Sequence, residues 1–339
     1  MSIAIGRLSL PTPIVQAPMA GASNADFVIK ACQLGVLGSL GAGMMSAAQI
    51  DDEINKIKAG ADQAFNINLM ILSKTLTEQY EQSMPEWLSA LYAELGITPT
   101  LDDKPAHAFD EQFAVLLRNP VPAASFTFGI LTQEQVLALH EVGTIVIGTA
   151  NNTDEVQSWQ AVGADAVVVQ GVGAGGHQGG WLYGESLDTF ELLTKARVMT
   201  DLPLIAAGGV ASRRELVRLL DAGADLVAVG TAFLTTKESP INAIWKDKIL
   251  NARADDTGLT RLYSGKWARG IITGYMNRFA KQDNDDLPVY PTLNAMTKPL
   301  RAHANSTKDD NFMSLWCGVG ASDCRDESMA QLVDRLMGR

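Results

Sequence analysis

Hydrophobic residues in this chain are grouped in short runs rich in valine, isoleucine and alanine, and each run follows a helical segment that ends in glycine. The run 166–170 after Gly163 and the run 226–229 after Gly223 are the clearest examples. A glycine just past a helix adopts the left-handed conformation that ends it. A short apolar run without polar alternation is typical of a strand buried on both faces, as in a parallel sheet. The repeated order of helix, glycine and strand therefore predicts right-handed βαβ units.

Eight strands of this kind can be identified along the chain. They are predicted to begin near Ile14, Val36, Phe65, Ala123, Thr144, Asp165, Leu204 and Asp225. Eight successive βα units predict an α/β fold of the closed (β/α)8 type, a TIM barrel, which usually takes about 250 residues. We therefore assign residues 1–259 to the barrel. An open, doubly wound sheet is the alternative fold.

Two segments, 73–120 and 260–339, do not fit the alternation of strands and helices. The first is too long for one loop and one helix. Hydrophobic residues recur in it at helical spacing, at Trp87, Leu88, Leu91, Tyr92 and Leu95, and predict a helical insertion. The second segment is divided by prolines and ends in a predicted amphipathic helix at 329–336. We expect the insertion and this C-terminal tail to pack together over the active site.

Composition and charge exclude several classes of protein. Of the 339 residues 47% are hydrophobic, which argues against a disordered chain. The net charge of −11 argues against a nucleic-acid partner. The N-terminus has no basic region before an apolar run, and no apolar stretch reaches the ~20 residues of a membrane span. We therefore expect a cytoplasmic protein with no membrane partner.

Cys32, Cys317 and Cys324 lack paired spacing, which indicates free thiols rather than disulfides or a zinc site. The oligomeric state is left open.

A glycine-rich loop after the sixth predicted strand holds the strongest candidate for chemistry. Residues 170–180 read QGVGAGGHQGG, with His177 among six glycines. Active sites of TIM barrels lie on the loops that follow the strands, and so much glycine indicates a ligand close to the main chain. Histidine titrates near neutrality and can take a proton or orient an anion. His107, His140 and His303 lie in settings typical of surface or structural residues, and nothing beside His177 predicts a metal site.

Two further glycine loops follow the seventh and eighth predicted strands. Gly208 and Gly209 end the seventh strand, and Gly230 with Thr231 ends the eighth. Many TIM barrels bind a phosphate between these two loops through backbone N–H groups. A tight turn would explain one such glycine pair. Two loops at consecutive strand ends predict a phosphate site.

Together these motifs resemble the nitronate monooxygenase family, formerly called 2-nitropropane dioxygenases. The similar segments are QAPM at 16–19, GAGGH at 173–177, AAGG at 206–209, GTAF at 230–233, RLYSGKWAR at 261–269, YP at 290–291, TKPLR at 297–301 and SLW at 314–316. The resemblance spans nearly the whole chain. It implies a metal-free, FMN-dependent oxidoreductase that oxidises alkyl nitronates, such as propionate 3-nitronate, with O₂. Some members of the family also take neutral nitroalkanes.

The resemblance also assigns roles by position, with His177 as the catalytic residue. The FMN-binding residues that it implies are Ala17, Met19, Asn68, Gln170, Gly175, Gly176, Gly208, Gly209, Ala228, Val229, Gly230 and Thr231. Relatives often have glutamate where this chain has Gly173, which leaves the substrate more open than the cofactor. The roles of Tyr290 and Lys298 stay open.

Amide side chains near strand ends, at Gln16, Asn68 and Gln170, suit the edge of a flavin ring because they both donate and accept. Core amides that bond the backbone are an equal alternative. FMN is preferred over FAD because no GxGxxG loop opens a helix after a strand.

Two other functions stay open at this level. Enoyl-acyl-carrier-protein reductases and NADH:quinone reductases that use FMN share the AGGH loop, so an NAD(P)H-dependent reductase of an enoyl thioester or quinone is the second hypothesis. A flavin-free protein, either non-catalytic or an aldolase-like lyase that binds phosphate, is the third. Such a lyase would need a Schiff-base lysine, and no lysine lies at a predicted strand end.

Overall fold

The computed structural model describes residues 3–80, 82–182, 184, 186–284 and 286–339. The strands in these ranges are β1 (Ile3–Ile5), β2 (Leu8–Leu10), β3 (Ile14–Gln16), β4 (Gly38–Gly41), β5 (Phe65–Met70), β6 (Ala123–Thr127), β7 (Ile145–Ala150), β8 (Ala166–Gln170), β9 (Gly176–His177), β10 (Leu204–Ala207), β11 (Leu226–Val229), β12 (Thr257–Thr260) and β13 (Ala268–Ile271).

Eight of these strands form one parallel sheet, in the order β3-β11-β10-β8-β7-β6-β5-β4. A parallel bridge between Val15 and Leu37, with backbone hydrogen bonds on either side of it, joins β3 to the chain just before β4. The sheet therefore closes, and the predicted (β/α)8 barrel is confirmed while the open sheet is wrong. Each barrel strand begins within two residues of its expected position.

The barrel strands are buried on both faces, as their apolar sequences predict. In β8, Ala166 and Val168 belong to the cluster inside the barrel, whereas Val167 and Val169 belong to the cluster between the strands and the helices. A run without polar alternation follows from this arrangement because neither face of the strand meets water.

Helices surround the barrel and fill the insertion and the tail. They are α1 (Ala25–Gln33), α2 (Ala47–Gly60), α3 (Lys74–Glu78), α4 (Glu86–Glu94), α5 (Phe109–Arg118), α6 (Gln133–Glu141), α7 (Thr153–Val162), α8 (Thr189–Arg197), α9 (Arg213–Asp221), α10 (Thr231–Leu234), α11 (Ala243–Leu250), α12 (Gly274–Arg278), α13 (Thr292–Met296), α14 (Lys298–Thr307) and α15 (Met329–Met337). Gly143 and Gly163, which follow two of them, have φ of +90° and +91°, as predicted for glycines that end helices. Among the described helices, none combines the length and apolar character that crossing a bilayer requires.

An N-terminal hairpin of β1 and β2 was not predicted by the hydrophobic pattern. Its residues Ile5, Leu8 and Leu10 pack with the cluster inside the barrel. Because the hairpin directly precedes β3, it covers the end of the barrel at which the strands begin. The opposite end is left for a ligand.

The insertion and the tail share a hydrophobic cluster outside the barrel. Leu88, Leu91 and Tyr92 of α4 pack there with Leu300 and other residues of the tail. The Tyr92 hydroxyl donates to the carbonyl oxygen of Met296 at 2.7 Å and accepts from the backbone N–H of Leu300 at 3.1 Å. The two segments are therefore tied by polar as well as apolar contacts.

Parts of both segments also pack against elements of the barrel. The last helix of the predicted insertion, α5, packs against α2 and β5, and the terminal helix α15 packs against α9 and α10. The predicted amphipathic helix at 329–336 is confirmed as α15. In addition, β12 begins at Thr257, before the expected boundary at residue 259. The division into a barrel of residues 1–259 and a tail of residues 260–339 stays a proposal.

Candidate active site

A cavity of about 390 Å³ lies at the ends of the barrel strands, where the βα loops meet the tail. This volume lies within the range of about 300–1,000 Å³ typical of ligand sites. Most of the predicted site residues line it, namely His177, Ala17, Met19, Asn68, Gln170, Gly175, Gly176, Gly208, Gly209, Ala228, Gly230 and Thr231. Val229 does not: its buried side chain packs on the helix side of the sheet. The structure brings this set together, and the individual roles stay predictions.

The floor of the cavity is the apolar interior of the barrel. Val15, Ile147 and Val168 contribute branched side chains from the strands, whereas Ala207 and Ala228 contribute only methyl groups. The small side chains leave room for a flat ligand above the strand ends.

Glycines at the ends of β10 and β11 form one wall of the cavity. Gly208 and Gly209 have φ of +122° and +75°, conformations that side chains with a Cβ rarely adopt. Within the described residues, the backbone N–H groups of Gly209 and Val210 make no hydrogen bond. The Thr231 hydroxyl accepts from the N–H of Gly318 at 3.0 Å and keeps its own hydrogen free to donate. This wall offers several donors and suits an anionic group.

The glycines of the loop after β8 serve two different purposes. A Cβ on Gly175 would lie 2.5 Å from the backbone nitrogen of Gly318, so this glycine lets the tail cross the loop. Gly176 has φ of +74°, and a Cβ on it would meet nothing within 4 Å, so glycine is favoured here by the backbone conformation and not by close packing. The close approach that the glycines indicated is therefore made partly by the tail of the same chain.

The three amides near strand ends divide between core and cavity. The Gln16 side chain is fully buried, accepts from the N–H of Ser39 at 2.9 Å and does not line the cavity. Gln16 is thus a core amide. Asn68 and Gln170 line the cavity, and Gln170 donates to the carbonyl oxygen of His177 at 3.1 Å. Gln170 thereby holds the main chain that carries the predicted catalytic residue.

His177 lies among aromatic rings. Its ring centroid is 5.8 Å from that of Phe128, 5.5 Å from that of Tyr290 and 5.4 Å from that of Trp316. Burial lowers the pKa of His177 to about 3, and the positive charges of Lys266 and Arg301 add to this shift. The imidazole is therefore neutral at physiological pH.

The hydrogen bonds of His177 select one tautomer of this neutral ring. Its Nε2 lies 2.8 Å from the Oγ of Ser264. The Ser264 hydroxyl donates to the carbonyl oxygen of Lys266 at 3.1 Å, so it accepts from the Nε2–H of His177. Nδ1 then carries the free lone pair and has no hydrogen bond within the described part of the chain.

Phe128 has strained backbone beside this histidine. Its φ of +71° is in the left-handed region, which costs a residue with a Cβ about 1–3 kcal/mol. Its N–H donates to the carbonyl oxygen of Gly179 at 2.7 Å, and the Lys266 ammonium lies 4.7 Å from its ring centre. The surrounding contacts hold the ring against His177.

The tail supplies a side of the cavity that sequence reasoning did not assign. Its lining residues are Tyr290, Asn294, Arg301, Ser314, Trp316 and Gly320. Lys298, whose role was open, does not line the cavity and forms an exposed ion pair with Asp102 at 2.6 Å. The resemblance to a family marked these segments, but no spacing in the sequence placed them in the site.

Comparison with known proteins extends over almost the whole chain. Residues 3–338 match the family model described as nitronate monooxygenase. A probable nitronate monooxygenase from Staphylococcus haemolyticus is 33% identical, over 97% of this chain and 94% of the relative. A probable nitronate monooxygenase from Staphylococcus aureus is 32% identical, over 92% of this chain and 89% of the relative.

Solved structures are similar over the same extent. The nitroalkane oxidase from Streptomyces ansochromogenes superposes with a TM-score of 0.86 at 31% identity, covering 97% of this chain and 95% of that one. FabK from Thermotoga maritima gives a TM-score of 0.77 at 24% identity, covering 97% and 92%, which is a likeness of fold alone. On the family match and the similarity to these relatives, this chain belongs to the nitronate monooxygenase family and is an oxidoreductase.

Proposed function

We propose that this enzyme uses FMN and O₂ to oxidise small alkyl nitronates to a carbonyl compound and nitrite. The observation that supports this most directly is His177, a neutral imidazole enclosed by aromatic rings in the same cavity as the two glycine loops. Family membership supports nitronate oxidation in general. FMN, O₂ and the choice of nitronate are our inferences.

A flavin is implied by family membership, and the cavity suits FMN. The donors at Gly209, Val210 and Thr231 would hold one phosphate, and the small side chains above the barrel interior would admit the ring. The letters at 171–176, GVGAGG, match the spacing of a dinucleotide fingerprint but lead into β9 and not into a helix. When bound, FMN supplies the acceptor for the electrons that leave the nitronate.

The charge state of His177 favours a nitronate over a nitroalkane as the substrate. A group whose pKa is lowered to about 3 is a weak base at neutral pH and removes a proton from carbon slowly. A nitronate has already lost that proton. Nδ1 of His177 remains able to accept a proton from a nitroalkane, while Phe128, Tyr290 and Trp316 exclude water from the reacting carbon.

Oxygen consumption and nitrite release with propionate 3-nitronate test the proposal. We expect both in the absence of any nicotinamide, and we expect flavin released by heat to co-elute with FMN. A protein that consumes no oxygen with any nitronate, but whose flavin is bleached rapidly by NADH without oxygen, would instead be the reductase of an enoyl thioester or quinone.

A further inference from the structure

Arg301 lies on α14 and reaches the cavity, where its guanidinium is incompletely paired. Nη2 donates to the backbone and side-chain oxygens of Asn294, at 2.6 Å and 3.0 Å. Nε is buried and has no hydrogen-bond partner. Within the described residues no carboxylate forms an ion pair with Arg301, and Nη1 makes no hydrogen bond.

The surroundings of Arg301 supply no negative charge. The chain has 38 acidic and 27 basic residues, yet none of the described residues that line the cavity is Asp or Glu. The ionisable groups that act on Arg301 are tyrosines, and burial raises the pKa of Tyr290 to about 12, which keeps that phenol neutral at physiological pH. Burial lowers the pKa of Arg301, but a guanidinium stays protonated at neutral pH.

A partly buried cation without a counter-ion is costly, and proteins retain one where a ligand completes the ion pair. The neutral His177 cannot be the cation that holds an anionic substrate. Arg301 is the remaining positive group that lines this cavity in the described part of the chain. It is also close enough to His177 to lower the pKa of the imidazole.

We propose that Arg301 binds the substrate through a planar oxyanion, the nitronate or a carboxylate on the same molecule, and so makes small organic anions the preferred substrates. This inference rests on the proposed function and names its substrate class. Arg301 is the specificity-determining residue, because neutral nitroalkanes of the same size cannot compensate its charge. Planar bidentate pairing is the geometry that guanidinium groups favour with such oxyanions.

Three variants of the flavin-loaded enzyme test the proposal. Arg301→Gln removes the charge, Arg301→Lys keeps a charge on a different donor, and Arg214→Gln is the matched control because Arg214 is 81% exposed on α9. Nitrate serves as the probe, since it is a planar oxyanion that is not oxidised. The first readout is the melting temperature in nitrate compared with that in chloride at equal ionic strength. The second is the KM for a nitronate and for its parent nitroalkane.

We expect nitrate to raise the melting temperature of the wild type and of Arg214→Gln but not of Arg301→Gln. In Arg301→Gln, the KM for the nitronate should rise by about 10- to 100-fold. For the neutral nitroalkane, both kcat and KM should change little. Wild-type nitrate binding in Arg301→Gln would overturn the proposal. Loss of flavin in that variant would also overturn it, because Arg301 would then hold the cofactor.

Arg301→Lys decides the question if Arg301→Gln does not fold. A lysine cannot offer two parallel donors, so the affinity for nitrate should fall at least several-fold, and an unchanged affinity would count against the proposal. Failure of the proposed function can be distinguished from failure of the Arg301 proposal. If the wild type releases no nitrite from any nitronate but binds nitrate through Arg301, the anion site is supported and the proposed reaction is not.

Discussion

At the scale of single residues, His177 and Arg301 line one cavity but differ in charge at neutral pH. Aromatic enclosure keeps the imidazole neutral, and Ser264 directs its free lone pair to Nδ1. The guanidinium stays charged because its ordinary pKa is too high for burial to neutralise it. In the function that we propose, proton transfer therefore falls to His177 and anion binding to Arg301.

Replacing His177 with asparagine should separate these two tasks. His177→Asn should lose activity on neutral nitroalkanes by ~10²–10⁴-fold, the usual contribution of a general base, and far less on preformed nitronates. Steady-state rates of nitrite release from both substrates measure the difference. The flavin content should stay near that of the wild type. Equal losses on both substrates would assign His177 to binding, and an unchanged rate on both would remove it from the mechanism.

The stability of the protein should depend on His177 below neutral pH. The folded-state pKa of about 3 lies below the ordinary histidine pKa of 6.5, so between these values the unfolded chain binds a proton that the native state does not. Stability from this residue is therefore complete above pH 6.5 and falls as the pH drops, by up to about 1.4 kcal/mol per pH unit. Urea unfolding at pH 7 and pH 5 should show a smaller loss for His177→Asn than for the wild type. Equal losses would show that the ring is hydrated.

At the scale of elements, the loop after β8 is shaped by the tail as much as by a ligand. The strand β9 exists because β13 pairs with it, placing Ala268 opposite His177. A Cβ on Gly173 would lie 2.9 Å from Cγ2 of Val319. A glutamate at this position, which the family resemblance leads us to expect in relatives, would therefore need the side chain of Val319 to move.

The loop after β10 gives a prediction about the cofactor. Gly209→Val should yield largely flavin-free protein, because valine rarely adopts a φ of +75° and would displace the unpaired N–H groups of Gly209 and Val210 in the cavity wall. The absorbance ratio of flavin to protein measures this. Gly163→Val is a matched control, since Gly163 has φ of +91° but follows α7 and lies outside the cavity lining. A fully yellow Gly209→Val protein would show that the phosphate lies elsewhere.

At the scale of the whole molecule, one tyrosine joins the insertion to the tail. Tyr92→Phe removes both hydrogen bonds of the hydroxyl and leaves the carbonyl oxygen of Met296 and the N–H of Leu300 unpaired. We expect a loss of about 1–3 kcal/mol in the free energy of unfolding, measured in urea. Tyr80→Phe is the control, because that hydroxyl bonds Asp102 at the surface and its loss should cost little. Equal effects would mean that the junction is hydrated.

The net charge of −11 says little about the active site of this molecule. Acidic residues are absent from the described lining of the cavity, while Arg301 brings a positive charge into it. The overall charge governs solubility, whereas the groups that line a binding site determine which ligand binds there. An anion site in a protein with a negative net charge is therefore physically reasonable.

The barrel and much of the cavity wall could be predicted from the amino-acid sequence, because both depend on local patterns. Apolar runs buried on both faces and left-handed glycines after helices recur within each βα unit, and the ends of parallel strands must meet at one rim. The tertiary structure alone placed Ser264 against His177, 87 residues away in sequence, and Leu300 against Tyr92, 208 residues away. It also decided that Gln16 is a core amide and that Arg301 reaches the cavity. Neither periodicity nor spacing encodes such contacts, since they arise only when the tail folds back across the open end of the barrel.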